Sequence, residues 1–367
     1  MNATQQLHQL GQSLWLDNIT RTLLDDGTLA RYIAQDSITG LTSNPSIFDK
    51  AIGQGRAYDA GIREAVQRGL SGEALFIALA LDDLRRAAGL FRPTFDATQH
   101  MDGWVSMEVS PLLVADTRGS IAAARKIHDQ ANCANLFVKI PGSPEGVGAI
   151  EESIFAGVPI NVTLLFSCAQ YQAVAEAYMR GIERRLEAGL DPHVPSVASL
   201  FVSRWDVAAN PQLPDALHNK LGIAVAQQTY RAYRELLASK RWKQLAAAGA
   251  PVQRMLWAST GTKDPTASDT LYVHALAAPD TINTVPEGTL RAFADHGVVG
   301  DVMPPDGGDA DAVLARISAA GVDTDALATK LQRDGAAAFV TSWQELLKRL
   351  ADKTDALGVK AAPADAP

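Results

Sequence analysis

Short apolar or β-branched runs alternate along this chain with longer segments of helical periodicity. This alternation is typical of repeated βα units and of a parallel sheet. Eight runs over one continuous stretch fit a closed barrel better than an open doubly wound sheet, so we predict an α/β fold, a single (β/α)8 TIM-type barrel with additional helices. The predicted strands are LWLDNI from Leu14, ITGLTS from Ile38, WVSMEVS from Trp104, NLFVKIP from Asn135, INVTLLFS from Ile160, PSVASLFVS from Pro195, RMLWAST from Arg254 and DTINTVP from Asp280.

Apolar residues recur at helical spacing between these runs. The pattern predicts outer helices over residues 120–132, 169–190 and 213–237, and a C-terminal helix over residues 325–350. The connection over residues 45–102 is too long for one helix and is expected to hold two or three. The Ala- and Pro-rich end indicates a barrel domain over residues 1–355 and a disordered tail over residues 356–367.

Composition limits the class of protein. The 367 residues are 47% apolar and 20% charged, and no run approaches the roughly 18 apolar residues of a membrane span. Length alone leaves one or two domains open. The polar N-terminus and the two cysteines favour a protein of the reducing cytoplasm.

The charge distribution excludes other classes. A net charge of −8 argues against a broad basic surface for nucleic acid or anionic membrane, so an anionic ligand must be held locally. The seven histidines show no metal-ligand spacing, and we expect no metal site.

Polar residues occur within or at the end of several apolar strands, and two others, Asn161 and Thr163, begin the run INVTLLFS. In a barrel of this kind the carboxyl ends of the strands form the active face. Charged side chains in or beside a barrel lumen are costly unless they are paired, so we expect a network among them. The residues concerned are Asp17, Asn44, Glu108, Lys139, Asn161 and Thr163.

Lys139 stands out among these residues. An amine confined by Val138, Ile140 and Pro141 should lose solvation, which favours the neutral nucleophile and suits imine formation with a ketone. Asp17 and Glu108 supply two carboxylates that can divide into proton donor and acceptor. The residues alone leave a second interpretation open, in which Lys139 is a structural crosslink to one of these carboxylates.

Four segments carry a resemblance to a known family. GLTSNPSIF from Gly40 and LFVKIPGSPEGVGAIEESI from Leu136 resemble the two transaldolase signatures, in the same order and at a matching separation. INVTLLFS and VASLFVSRWD resemble the family's strand-five and strand-six segments. The similarity runs from about Leu14 to Pro286. GSPEGVG departs from GxGxxG and is interpreted as a βα turn capped by Ser143.

The resemblance implies a transaldolase of the pentose phosphate pathway, which transfers a dihydroxyacetone unit from sedoheptulose 7-phosphate or fructose 6-phosphate to an aldose phosphate without a cofactor. It makes Lys139 the imine former, Asp17 the acid/base at the C4 hydroxyl, and Glu108 the group that activates a water. Asn44, Asn161 and Thr163 would hold hydroxyls and that water, and Ser199 and Arg204 would bind the phosphate.

One position departs from the family pattern. Many members carry a second phosphate-binding arginine shortly after the Ala-Ser pair of strand seven, whereas Ala258 and Ser259 are followed here by TGTKDP. Lys263 is the expected substitute, acting as a point charge, with a solvated loop lysine as the alternative.

Two other functions remain possible at this point. A fructose-6-phosphate aldolase would release free dihydroxyacetone, but that group is shorter and typically has glutamine where this chain has Glu108. An inactive barrel used as a scaffold would be indicated by loss of the lysine or either carboxylate, and all three are present. The sequence leaves monomer and homodimer open.

Overall fold

Eight parallel strands form the centre of the molecule, for which we analysed a computed structural model describing residues 1–53 and 55–359. Each strand coincides with one of the predicted runs, so the eightfold βα pattern is confirmed. The strands are β1 (Ser13–Leu16), β2 (Ile38–Leu41), β3 (Val105–Glu108), β4 (Leu136–Pro141), β5 (Ile160–Leu165), β6 (Ser196–Phe201), β7 (Gln253–Ala258) and β8 (Thr281–Val285).

The strand order is that of a barrel opened between β2 and β3, with β1 next to β8 and the remaining strands in sequence. Backbone bonds complete the ring, because Leu41 N donates to the Trp104 carbonyl at 2.9 Å and Gly103 N donates to the Thr39 carbonyl at 2.8 Å. The sheet is therefore a (β/α)8 barrel, as the sequence predicts.

Helices surround the barrel. Their positions are α1 (Ala3–Gln9), α2 (Arg21–Asp25), α3 (Thr28–Asp36), α4 (Pro45–Gly53), α5 (Asp59–Gln67), α6 (Gly72–Ala97), α7 (Thr117–Ala131), α8 (Pro144–Phe155), α9 (Cys168–Glu187), α10 (Ser203–Ala209), α11 (Leu221–Ala238), α12 (Lys240–Ala247), α13 (Leu271–Ala275), α14 (Glu287–His296), α15 (Ala310–Ala319) and α16 (Thr324–Ala356). Three of them, α4 to α6, fill the long connection after β2, as expected.

One predicted helix begins later than the periodicity indicates. The pattern predicts a helix from residue 213, whereas α11 starts at Leu221. Leu213 precedes a proline and is extended, and Asn219 has a left-handed φ of 59°. Both conformations are incompatible with an α-helix, so the apolar spacing over residues 213–220 was misleading.

The C-terminal helix is longer than predicted. It reaches Ala356, and Leu357 and Val359 still pack against the core. The expected disordered tail otherwise falls on residues 360–367, which lie outside the described residues, so the domain boundary stays a prediction. Over the described part of the chain, no helix combines the length and apolar character that a bilayer crossing requires.

Candidate active site

Three charged or polar residues lie side by side on three adjacent strands, β3, β4 and β5. Glu108 is in register with Lys139, and Lys139 with Asn161. Residues that are in register on adjacent parallel strands point to the same side of a sheet. All three are buried, so the barrel lumen holds a lysine between a carboxylate and an amide.

Two polar groups of the described residues lie beside the Lys139 side-chain nitrogen. Nζ donates to the Ser43 carbonyl at 2.9 Å and lies 3.7 Å from Glu108 Oε1. The first contact is a hydrogen bond, while the second is an ion pair too long to be one. Lys139 is only 5% exposed but lines a cavity of about 150 Å³ at the barrel mouth, so its amine lies beside a space open to a ligand.

Glu108 is a buried carboxyl group with few compensating contacts. Neither of its oxygens accepts a hydrogen bond from any described residue. Burial raises the pKa of Glu108, and the nearby Asp17 charge raises it further, while Lys139 opposes the shift. Glu108 is therefore suited to take up a proton close to the lysine amine.

Asp17 follows β1 and lines the cavity. Its backbone N–H donates to the Val285 carbonyl at 2.8 Å, and its carboxylate accepts a hydrogen bond from the Thr42 hydroxyl at 2.8 Å. Burial raises the pKa of Asp17, whereas the Lys139 charge and the Thr42 hydrogen bond lower it. Lys139 therefore interacts electrostatically with both carboxyl groups, in line with the network that the sequence predicts.

Amide and hydroxyl groups from β2, β5 and β6 surround the lysine. Asn161 donates to Ser106 Oγ at 3.2 Å and accepts from Ser199 Oγ at 2.7 Å. Thr163 lines the cavity, and its hydroxyl has no hydrogen-bond partner among the described residues. Asn44 also lines the cavity, and its Oδ1 accepts from the Ile47 N–H at the start of α4. This bond fixes the amide orientation.

The positive groups lie at the mouth. Arg204 lines the same cavity from α10, and within the described chain no carboxylate oxygen lies within 4 Å of its guanidinium. Burial lowers the pKa of Arg204, although the charges of Glu108 and Asp17 oppose this. Lys263 lines the same cavity from the loop after β7 and is exposed. All nine predicted residues thus converge on one end of the barrel, although Glu108 and Asn161 lie behind the cavity wall.

The comparisons with known proteins agree with this geometry. A model of the family described as Transaldolase/Fructose-6-phosphate aldolase matches residues 14–350. This chain belongs to the transaldolase family. A transaldolase of Thermobifida fusca is 43% identical over 95% of this chain and 97% of the relative. Transaldolases of Parafrankia sp. and Thiobacillus denitrificans are 44% and 43% identical, again over 95% of this chain and over 96% and 100% of the relatives.

These transaldolases support a transaldolase function and favour neither alternative, the aldolase that releases dihydroxyacetone nor the inactive scaffold. Transaldolase membership also implies sugar-phosphate substrates. The roles of the individual residues stay predictions.

The transaldolase barrel mouth includes residues that the sequence analysis missed. Thr42 lies between Asp17 and Thr284, with its hydroxyl 2.7 Å from the Thr284 hydroxyl. The alternation of the GLTSN segment could have indicated Thr42, because Thr42 and Asn44 are two residues apart. Phe339 of α16 lines the cavity too. No local signal marks it, since only the packing of a distant helix brings it to the mouth.

The loop after β7 is anchored next to Lys263. Asp264 accepts hydrogen bonds from Asn219 Nδ2 at 2.7 Å and from Thr266, and these bonds lower the pKa of Asp264 to about 2. Ser259, at the start of the loop, has a left-handed φ of 55° and also lines the cavity.

The GSPEGVG turn is capped as predicted, since Ser143 Oγ accepts from Gly146 N at 3.1 Å.

Proposed function

We propose that this transaldolase moves a dihydroxyacetone unit from a ketose phosphate, fructose 6-phosphate or sedoheptulose 7-phosphate, to an aldose phosphate through an imine on Lys139. The observation that supports this most is a buried lysine amine at the edge of a cavity, close to two carboxyl groups whose pKa values are both raised.

The first step is addition of the Lys139 amine to the C2 carbonyl of the ketose. The carbinolamine that forms must lose its C2 hydroxyl as water, which requires one proton to be delivered there. Glu108 is the proposed donor of that proton, and its acceptor in the reverse step, and it acts through a water held by Asn161 and Thr163. The Thr163 hydroxyl and both Glu108 oxygens support this assignment, because none of them has a hydrogen-bond partner among the described residues.

The second step is cleavage of the C3–C4 bond. The iminium nitrogen accepts the electron pair of that bond while Asp17 removes the proton of the C4 hydroxyl, so the aldose phosphate leaves and an enamine remains on Lys139. In the transfer direction the enamine carbon attacks an acceptor aldehyde, and Asp17 returns the proton to the new hydroxyl. Asn44 would hold a substrate hydroxyl during both steps.

The phosphate end is assigned to Arg204, Ser199 and Lys263. A guanidinium without a carboxylate neighbour is free to make bidentate contacts to phosphate oxygens, and the Lys263 ammonium group adds a second positive charge. We also propose a cytoplasmic location, which the two free cysteines Cys133 and Cys168 support.

A borohydride trapping experiment tests the covalent step. The protein is incubated with fructose 6-phosphate, reduced and digested, and the added mass should map to the peptide that contains Lys139. Lys139→Ala should show no adduct, while the exposed Lys126→Ala serves as the matched control and should keep it. An adduct on another lysine would rule out the mechanism.

Two further measurements separate the roles. Asp17→Ala should still form the adduct from dihydroxyacetone but lose cleavage of fructose 6-phosphate, because its proposed role is at the C4 hydroxyl. Production of glyceraldehyde 3-phosphate from fructose 6-phosphate should require erythrose 4-phosphate. Equal turnover without the acceptor would instead indicate an aldolase.

A further inference from the structure

Three residues of α16 form one face that lies against the barrel mouth. Gln332, Gly335 and Phe339 are spaced by three and four positions, which places them on the same side of a helix. Each contacts a different part of the mouth, and together they reach the guanidinium of Arg204. This set is called the α16 face below.

Gln332 fixes the helix to two strand ends. Its Nε2 donates to the Gly142 carbonyl at 3.0 Å and to the Leu164 carbonyl at 2.9 Å, just after β4 and near the end of β5. Leu164 has a left-handed φ of 59°, and the pairing of β5 with β6 is irregular there. The Leu164 carbonyl therefore binds a helix side chain at the point where the strand register is interrupted.

Gly335 allows the helix to lie close to Arg204. A Cβ at this position would lie 3.1 Å from Arg204 Nη1 and 3.0 Å from Leu164 Cδ2. Both separations are shorter than ordinary carbon contacts. A methyl group at 335 requires these neighbours to shift by a few tenths of an ångström, and the Arg204 guanidinium, at the end of a long side chain, is one of the two groups that can do so.

Phe339 completes the arginine environment. The Arg204 guanidinium carbon lies 5.0 Å from the Phe201 ring centroid and 5.9 Å from that of Phe339. Aromatic faces attract a cation without neutralising it. The arginine is thus held in a desolvated position while its N–H groups stay available for an anionic ligand.

We propose that the α16 face is a positioning device for Arg204 and thereby sets the preference of the enzyme for phosphorylated over unphosphorylated substrates. This inference rests on the proposed phosphate role of Arg204. The helix acts through the arginine and does not itself bind the phosphate.

Gly335→Ala separates positioning from structural support. Alanine is the better helix former, so the melting temperature should stay the same or rise. The new methyl group should displace the Arg204 guanidinium, and KM for fructose 6-phosphate should increase about tenfold, with kcat/KM for unphosphorylated fructose unchanged. The matched control is Gly89→Ala in α6, where a Cβ meets no atom within 4 Å. That variant should leave both constants unchanged.

Phe339→Leu tests the aromatic contact. Loss of the ring should raise KM for fructose 6-phosphate about fivefold, and Phe339→Tyr, which keeps the ring, should restore it. In an Arg204→Ala background neither Gly335→Ala nor Phe339→Leu should raise KM further, because the group they position is absent.

The outcomes distinguish the two proposals. If Arg204→Ala raises KM for the phosphorylated substrate but Gly335→Ala and Phe339→Leu do not, the positioning inference is overturned and the phosphate role stands. If Arg204→Ala leaves substrate preference unchanged, the phosphate role is wrong and the inference fails with it. Additive effects in the double variants would also contradict positioning.

Discussion

A buried charged pair lies at each end of the barrel, and the two pairs differ in how many hydrogen bonds they make. At the N-terminal end Asp102 accepts hydrogen bonds from Trp15 Nε1 at 2.7 Å, from Gly103 N at 3.1 Å and from the Ser13 hydroxyl. At the C-terminal mouth Glu108 accepts none from any described residue. Two buried carboxylates in one barrel thus differ in how fully their hydrogen-bonding capacity is used.

The cations show the same contrast. Arg254 lies 3.8 Å from Asp102 and donates to Ser13 Oγ at 2.7 Å and to the Thr281 carbonyl at 3.0 Å. Within the described part of the chain, Lys139 makes one hydrogen bond, to a backbone carbonyl. A more completely hydrogen-bonded network holds strands together, although Arg254 Nε has no partner among the described residues, whereas unused hydrogen-bonding capacity at the mouth is available for a ligand. The comparison predicts that substitutions at the C-terminal mouth affect mainly catalysis, and that substitutions at the N-terminal end of the barrel affect mainly stability.

The largest expected effect is that of Lys139→Met. Removal of the amine should lower kcat by more than about 1,000-fold, because no imine can form. The free energy of unfolding should change by less than about 1 kcal/mol, since Glu108 can take up a proton and methionine fills a similar volume. Enzyme assays and urea denaturation measure the two effects. A large loss of stability would make Lys139 a structural crosslink.

Asp102→Ala should show the opposite pattern. It leaves the buried Arg254 without its carboxylate and should cost about 3–5 kcal/mol of unfolding free energy. At a temperature where the variant is folded, KM and kcat should stay close to those of the unsubstituted protein. Circular dichroism and kinetics on the same sample test this. Loss of activity in the folded variant would contradict a purely structural role for the charged pair at the N-terminal end of the barrel.

Arg204→Ala is expected to act on binding. It should raise KM for fructose 6-phosphate by about 10- to 100-fold, as for loss of a charge-assisted contact, with a much smaller effect on unphosphorylated fructose. The comparison of both substrates is the measurement. Equal effects on the two would mean that Arg204 is structural.

Lys263→Ala should act in the same direction more weakly, with about a threefold increase in KM, because the lysine is exposed and the arginine remains. Lys126→Ala is a matched control for removal of an exposed positive charge elsewhere on the surface. An unchanged KM for Lys263→Ala would identify it as a solvated loop residue.

The smallest expected effect is on the pH dependence of the free energy of unfolding. The folded protein raises the pKa of Glu108, so this group stabilises the fold below its unfolded pKa of about 4.3 and loses that contribution as pH rises through its folded pKa. Glu108→Gln removes the titration. Relative to this variant, the unsubstituted protein should become less stable as pH rises above about 4.3. Denaturation at several pH values measures the difference, and a relative gain in stability with pH would have the wrong sign.

The sequence was most informative where residues follow a strand pattern. Asp17, Glu108 and Lys139 could be placed because each is a polar residue late in an apolar run, and the barrel brings such positions together. The start of α11 could not, since Pro214 and a left-handed Asn219 interrupt an apolar spacing that otherwise fits a helix. The position of Phe339 at the mouth could not be predicted from the sequence, because it depends on tertiary packing alone.

The position of α16 in the chain affects how the protein is made. The N-terminal part of a chain leaves the ribosome first and can begin to fold while the rest is still being synthesised. All eight strands and the lysine precede α16, so the barrel can close before this helix has been synthesised. Gln332, Gly335 and Phe339 then reach the mouth only afterwards, and Arg349, which pairs with Asp49 at 2.6 Å, joins the end of the helix to α4 later still. In a nascent chain Lys139 is therefore synthesised before the residues that contact Arg204 from α16.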